Sequence, residues 1–379
     1  MSRSIPWMEP DPDTSDAKFR EAYPRFRSLP DPHVDPQRVG EQGWHRRDLL
    51  LPALTLRADA VEHNARLHAR WCEQYGVLQA PHAKTHMSPE LVRLQLDSGA
   101  WGLTAASVHQ ARFLAAVGVS RIILAHEVVD RANVVALARL ARQYPQVDVM
   151  PIVDSRAGVE ILSRHLAEAG MPRPLPVMVE LGVPGGRTGA RTEAELVRIA
   201  TAVHADPMLR LVGVEGFEGI LPVGRDAASL AGVDEFLARL VAAMVELDRR
   251  GLFSQTTEVL LTAGGSVYPD RLAAVDRPDL GVPVRLVVRS GATITHDHGP
   301  SSRCAPLSPE ADHPLGGLKP ALELWAAVVS TPEPGIALAN FGKRDAPYDS
   351  HMPVVLQVLR GAETLDVAGI SVDRVNDQH

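Results

Sequence analysis

The chain is poor in cysteine: Cys72 and Cys304 are the only two in 379 residues. So few thiols in so long a chain argue against a disulfide framework and fit a reducing compartment, so the cytoplasm is the expected location. Long apolar runs are also missing. No stretch approaches the roughly 18 continuous apolar residues of a membrane span, and residues 1–10 carry no apolar signal core. A dense Lys/Arg run is absent as well, and the net charge is −7. Nucleic acid and anionic membrane surfaces are therefore not expected partners. Internal repeats and low-complexity tracts do not occur. What is present is a 45% apolar and 22% charged composition, enough for a sizeable packed core. The length allows two domains, or one large barrel with an appendage.

Residues 1–48 are rich in Pro, Asp and Arg. They read as an extension draped over the main body, helical around 16–23 and pinned by Tyr23, Phe26 and Trp44. A short strand follows at 50–56, and a helical pattern at 59–75 places Val61, Ala65, Leu67, Ala69 and Trp71 toward a sheet. Eight further strands are predicted at 77–80, 100–104, 121–125, 147–153, 175–180, 211–215, 258–262 and 284–288. Helical patterns at 88–98, 106–117, 130–143, 155–169, 192–205 and 227–250 separate them, and the gap 266–282 is looser. Runs such as Ile122-Ile-Leu-Ala125 are continuously apolar, as parallel strands buried on both faces should be. Strand–helix alternation predicts an α/β fold, and a count of eight predicts a closed (β/α)8 barrel of the TIM type, with an open doubly wound sheet as the alternative. After residue 290 the helical pattern fades. Strands broken by Pro, Gly and Asp are expected at 322–331, 335–341, 354–359 and 363–370. The expected divisions are an N-terminal extension (1–48), a barrel (49–289) and a β-rich C-terminal domain (290–379).

The chemistry-bearing residues fall at predicted strand ends, where a parallel barrel assembles its site. Lys84 follows the first barrel strand in the run Leu78-Gln-Ala-Pro-His-Ala-Lys-Thr-His-Met87. It is either a solvated loop lysine or an amine that holds an aldehyde cofactor as a Schiff base, which points to pyridoxal phosphate chemistry. The turn at Pro81 and His82, with His86 close by, favours the second. Gly264, Gly265 and Ser266 follow the seventh strand. They form either a glycine-rich turn or a cradle of backbone N–H groups for a phosphate. Arg187 lies in the loop after the fifth strand, either exposed or in contact with a cofactor ring or a carboxylate substrate. The segment His126-Glu-Val-Val-Asp130 lacks the second histidine of a helical zinc motif. His296 and His298 alternate, so they either line the mouth from one strand face or bind metal.

These segments occur in one order: Ala80-Pro-His-Ala-Lys-Thr-His-Met-Ser-Pro89, Gln95-Leu-Asp-Ser-Gly-Ala-Trp-Gly-Leu-Thr104, Glu180-Leu-Gly-Val-Pro-Gly-Gly-Arg-Thr-Gly-Ala-Arg191, Ala263-Gly-Gly-Ser266 and Arg289-Ser-Gly-Ala-Thr-Ile-Thr-His-Asp-His-Gly299. Leu322-Glu-Leu-Trp325 and Gly342-Lys-Arg-Asp345 come after them. Together they resemble the D-serine dehydratase and D-threonine aldolase family, and most closely its bacterial amino acid deaminase branch. The resemblance runs from residue 49 to 379. It implies an alanine-racemase-like barrel (the type III pyridoxal-phosphate fold) with a β-domain, a homodimer, and a small D-amino acid substrate bearing a β-hydroxyl.

By the same resemblance Lys84 is the Schiff-base lysine and catalytic base. His82 and Arg187 contact pyridoxal 5'-phosphate, and Gly264, Gly265 and Ser266 hold its phosphate. The implied reaction is deamination to a 2-oxo acid and ammonia, with retro-aldol cleavage to glycine and an aldehyde as the alternative. Racemisation fits less well, because Phe217 and Thr293 stand where the family often has tyrosine. A non-catalytic cofactor carrier is disfavoured by the residues after 290. A divalent metal, Zn or Mn, is implied too. The family's His-x-Cys or His-x-Asp ligand pair lies beyond the segment that Asn376-Asp-Gln-His379 resembles. Either the chain is truncated, which is the expectation, or the protein lacks the metal site; the family's metal ligands are not present in this chain, and the metal residues are unknown.

Overall fold

The computed structural model describes residues 28–31, 34 and 36–378. The helix expected at 16–23 and the anchors Tyr23 and Phe26 lie outside the described residues, and Trp44 is half-buried. Two compact units emerge, one spanning Ala58–Ala321 and the other joining the described residues up to Arg57 with those from Leu322 onward. By contacts the divisions fall after Arg57 and after Ala321, where the sequence predicts them after residues 48 and 289.

In the second unit, β1 (Ala53–Leu56) forms where a strand was expected. It pairs antiparallel with a segment near the other end of the chain, Leu322–Trp325, in the register Ala53 to Trp325 through Leu56 to Leu322.

The first unit alternates helix and strand in chain order: α1 (Ala58–Gln74), β2 (Leu78–Gln79), α2 (Pro89–Asp97), β3 (Leu103–Ala105), α3 (Val108–Ala116), β4 (Arg121–Glu127), α4 (Arg131–Gln143), β5 (Asp148–Val153) and α5 (Arg156–Glu168). It continues with β6 (Leu175–Leu181), α6 (Glu193–Ala205), β7 (Leu209–Gly216), α7 (Ala227–Arg249), β8 (Val259–Ala263), α8 (Pro269–Ala273), β9 (Val284–Val288) and α9 (Pro300–Cys304). Six helices begin at a residue whose side chain accepts an orphan amide of the first turn: Ser88, Ser107, Asp130, Ser155, Thr192 and Asp226. Such caps stop each strand-to-helix loop at a fixed point. The helices then bury one stripe; in α4 it is Val134, Leu137, Ala138, Leu140 and Ala141.

All eight strands of the sheet are parallel, in the order β2-β9-β8-β7-β6-β5-β4-β3. The two end strands are themselves joined. The Trp101 amide donates to Gln79 O and the Thr104 amide to Pro81 O, each at 2.9 Å, and His82 bridges to Thr104. The sheet is therefore a barrel, not an open doubly wound sheet.

Two apolar layers follow from the two-residue strand period. Ala80, Ile123, Met150, Ile152, Met178, Val212, Leu260 and Val287 fill the interior. Alternate residues such as Ile122, Leu124, Val149, Val153, Val177 and Val179 pack outward in the larger cluster with the helices. Burying each such side chain contributes roughly 1.5–3 kcal/mol.

The strand-rich unit contains β10 (Leu322–Trp325), β11 (Val328–Glu333), β12 (Ile336–Ala339), β13 (Val358–Arg360) and β14 (Glu363–Leu365) in three two-stranded antiparallel sheets. Gly335 and Gly361 take positive φ at the reversals between β11 and β12 and between β13 and β14, where a side chain would be strained. Among the described residues no helix is long and apolar enough to cross a membrane.

Candidate active site at the barrel mouth

The strand period that fills the interior also builds the mouth. Two residues beyond the apolar layer, Met178 gives way to Glu180, Ile152 to Asp154, Val287 to Arg289 and Ala80 to His82. Glu215 stands in register with Glu180 across β6 and β7, so it faces the same way. Glu127 ends β4 after a register shift. The top interior layer is therefore charged, on strand ends where barrel enzymes place chemistry.

One arc of this layer is basic. Lys84 sits in the 3-10 turn Ala83–Thr85 just after β2. His82 fixes that turn: its Nδ1 accepts from the Lys84 amide at 3.4 Å, and its own amide donates to Arg289 O at 3.2 Å. Burial, then Arg187 and Arg289, holds the Lys84 amine below the usual lysine range. Burial and the nearby Lys84 and Arg289 push His82 down to about 3, so its imidazole is neutral at neutral pH. The Arg187 guanidinium lies 4.7 Å from the Phe217 ring centroid, a cation–π contact. Arg289 is 3% exposed, pairs closely with Glu215 and donates to Gly216 O at 3.1 Å. Its Nε is buried without a hydrogen-bond partner.

The Gly264–Ser266 loop joins this arc, since a Cβ on Gly264 would collide with the Arg289 guanidinium. Its amides at Gly264 and Gly265 donate to the two carboxylate oxygens of Glu218 at 3.0 and 2.6 Å. Ser266 Oγ accepts from the Ala292 amide at 3.4 Å. The expected residues Lys84, His82, Arg187 and Gly264 thus share one electrostatic neighbourhood, with Gly265 and Ser266 continuing the loop.

The other arc is acidic. Ligand atoms of Glu127, Asp154 and Glu180 lie within 4.8 Å of one another. Thr188 Oγ1 donates to Glu180 at 3.1 Å and the Gly189 amide to Asp154 at 3.3 Å. Glu127 Oε1, Glu180 Oε2 and Glu215 Oε2 are buried without a hydrogen-bond partner. Burial, then the charges of Glu215 and Glu127, pushes Glu180 up to about 9. Burial also raises Glu215, with Arg289 pulling it back. Such a group holds protons, or a hard divalent cation that prefers oxygen ligands.

Sequence reasoning missed Arg289, Glu215, Asp154, Glu127 and Glu218 as site residues. The available signal was a single charge immediately after an apolar strand, as in Val284–Val288 followed by Arg289. Other expectations resolve differently. Asp130 is the cap of α4, so the segment from His126 is a strand end and a cap. His296 and His298 do not share a strand face. They follow a turn, with His296 buried at φ 49° and His298 exposed. The buried Thr293 hydroxyl donates to Ser290 O at 2.9 Å. A cavity of about 490 Å³ lined by Tyr75, Arg225, Asp270, Cys304 and His313 includes none of the mouth residues.

Fold and site thus define a (β/α)8 protein with a lysine-centred, cation-rich mouth beside buried carboxyls. Comparison with known proteins narrows this. Residues 56–256, over half the chain, match the family model "Alanine racemase, N-terminal domain", and residues 321–379 match "Putative serine dehydratase domain". The chain belongs to the alanine racemase N-terminal domain family, within the D-serine dehydratase and D-threonine aldolase group. It is 26% identical to a D-threonine aldolase of Arthrobacter sp. over 86% of this chain and 78% of that one. It is 30% identical to a D-threo-3-hydroxyaspartate dehydratase of Delftia sp., over 43% and 42% of the two chains. The solved D-threonine aldolase of Filomicrobium marinum superposes with a TM-score of 0.71 at 27% identity, covering 88% of this chain and 82% of that one.

Proposed function

We propose that this protein is a pyridoxal-phosphate-dependent lyase acting on D-amino acids with a β-hydroxyl. It would deaminate D-serine- or D-threonine-like substrates to a 2-oxo acid and ammonia. The observation that carries the reading is Lys84, delivered by the first barrel strand and flanked electrostatically by Arg187 and Arg289. The residues fit a phosphate-bearing aldehyde. They include a primary amine with a depressed pKa, a buried guanidinium with an unused donor, and two adjacent backbone amides, here donating to the Glu218 carboxylate, on glycines that have no room for side chains.

When bound, pyridoxal phosphate supplies an electron sink for the electrons left at Cα. Lys84 Nζ, its pKa lowered by burial and by two guanidiniums, would take the α-proton in deamination. His82 stays neutral and holds the turn that aims Lys84. Arg187, propped on Phe217, presents a planar fork suited to a carboxylate. Glu180 keeps its proton at neutral pH and offers an acid on the same rim for a departing hydroxyl.

Retro-aldol cleavage to glycine and an aldehyde is the second reading. It is favoured by the aldolase names of the relatives matched over most of this chain. A divalent metal at the β-hydroxyl is the finer part of either reading. Its support among the described residues is the Glu127–Asp154–Glu180 group, whose oxygen-only donors suit Mn better than Zn. A cytoplasmic homodimer completes the proposal. It is supported by the two free cysteines and by exposed apolar residues such as Val328, Val329 and Ile336 for a second copy to cover. Light scattering of the purified protein tests that assembly.

The deciding experiment incubates purified protein with pyridoxal phosphate and D-serine or D-threonine, with and without Mn, and follows ammonia, 2-oxo acid, glycine and aldehyde. Ammonia with 2-oxo acid supports the deaminase, and glycine with aldehyde the aldolase. A protein that takes up no cofactor at Lys84 overturns both.

A further inference from the structure

We propose that Glu218 is a built-in counter-anion of the Gly264 and Gly265 amides, and that a phosphate group reaches those amides only by displacing it. The proposal rests on the reading that the loop after β8 receives the cofactor phosphate. Glu218 opens the 3-10 turn Glu218–Ile220 directly after β7 and is 2% exposed. Both of its carboxylate oxygens are engaged, Oε2 by the Gly264 amide at 3.0 Å and Oε1 by the Gly265 amide at 2.6 Å. Two successive amides converging on one anion form the kind of nest that binds phosphate. Each amide has a single hydrogen, and each of these hydrogens is committed to Glu218. A side chain at position 265 would strike Glu218 Oε1, so the contact is backbone against carboxylate.

The loop is tied on its other side. Ser290 Oγ donates to Gly265 O at 2.9 Å, and Ser266 Oγ accepts from the Ala292 amide at 3.4 Å. Of the two partners the carboxylate is therefore the one free to leave. Burial pushes the Glu218 carboxyl up, while Arg289 and the Gly264 and Gly265 amides pull it back. Phosphate affinity then reflects a difference between two anions on the same donors. It scales with the fraction of molecules in which Glu218 has left the amides.

The test compares wild type, Glu218→Gln and Glu218→Ala by equilibrium dialysis against pyridoxal phosphate, pyridoxal and inorganic phosphate, after thermal melts establish that each is folded. The Gln variant keeps the side-chain volume if the Ala variant does not fold. Both variants are expected to bind the two phosphate probes about tenfold more tightly or better, the fold-change equivalent to one charge-assisted hydrogen bond, with pyridoxal unchanged. Unchanged or weaker phosphate binding overturns the proposal and makes Glu218 a brace for the loop. An equal gain for pyridoxal also overturns it, since the effect would not then lie at the amides. If no form binds pyridoxal phosphate, the cofactor reading fails, while the inorganic phosphate arm still decides the role of Glu218.

Discussion

The two arcs of the barrel mouth are built alike and charged oppositely. His82 and Lys84 follow β2, and Arg289 follows the adjacent β9. Glu127, Asp154, Glu180 and Glu215 belong to the four successive strand ends from β4 to β7. Among the described residues the close pair Arg289 with Glu215 joins the arcs. The basic arc has few hydrogen-bonded anions, and its charges depress the Lys84 amine. The acidic arc has more buried carboxyls than cations, and Glu180 therefore keeps a proton. Burying an ionised, uncompensated carboxylate is too expensive to do otherwise. One arc thus holds an amine ready to react, and the other holds protons or a cation ready to assist.

The largest expected effect breaks the basic arc. Lys84→Ala removes the cofactor absorbance band and lowers turnover by about a thousandfold or more, the upper range for losing a positioned base. Because the Lys84 side chain is only partly withdrawn from solvent and fills no core position, the melting temperature of the variant should barely move. A variant that retains the band would reassign the lysine. Next comes the bridge between arcs. Arg289→Met leaves Glu215 buried without its cation and should destabilise the protein by about 3–5 kcal/mol in urea denaturation. Pairing it with Glu215→Leu should recover most of that loss. A single-variant loss under about 1 kcal/mol would mean that Glu215 is already protonated and that no ion pair joins the arcs.

The arcs also differ in how far they could be read beforehand. The eight barrel strands and the helices between them follow from apolar period and continuously apolar runs, and each predicted strand has its counterpart in β2 to β9. Lys84 and the Gly264–Ser266 loop were legible because their neighbours in sequence, Pro81, His82 and the glycine pair, are unusual on their own. The acidic group was not. Glu127, Asp154 and Glu180 come from three strands and look like ordinary strand ends until the barrel closes and alternation turns them inward. Glu218 was hidden for the same reason, because its partners lie 46 and 47 residues away. The partner of β1 was equally illegible, since a short apolar strand does not announce what it will pair with, and Leu322–Trp325 lies far along the chain.

The acidic arc can be sharpened through pH. Glu180 keeps its proton in the folded protein up to about pH 9, whereas the unfolded chain releases it near 4.5. Between these values the folded state binds more protons at Glu180, so this group's contribution to wild-type stability falls as pH rises. Glu180→Gln does not titrate. Its advantage over wild type in thermal melts should be least near pH 4.5 and grow toward pH 9, at most by about 1.4 kcal/mol per pH unit. A difference that stays flat with pH would mean that a cation, not a proton, neutralises the group. Chelation should then lower the wild-type melting temperature and leave the variant less affected.

The smallest expected effect concerns the basic arc and separates its two guanidiniums. Burial lowers the Lys84 amine first, and Arg187 and Arg289 add to it. Arg187 is exposed and rests on Phe217, so removing it disturbs little packing; the cation–π contact itself is worth about 0.5–1 kcal/mol at such a site. Arg187→Gln removes one of the two positive neighbours. The Lys84 pKa should then rise toward the ordinary lysine range while remaining below it, because burial and Arg289 persist. A lysine is nucleophilic above its pKa, so the pH profile for reaction of Lys84 with a neutral aldehyde should move to higher pH. Arg187→Lys keeps the charge and should leave the profile nearly where it was. If both variants shift the profile alike, Arg187 acts through its shape and its seat on Phe217 rather than through its charge. If neither does, the depression belongs to burial and Arg289, and the basic arc narrows to the residues that follow β2 and β9.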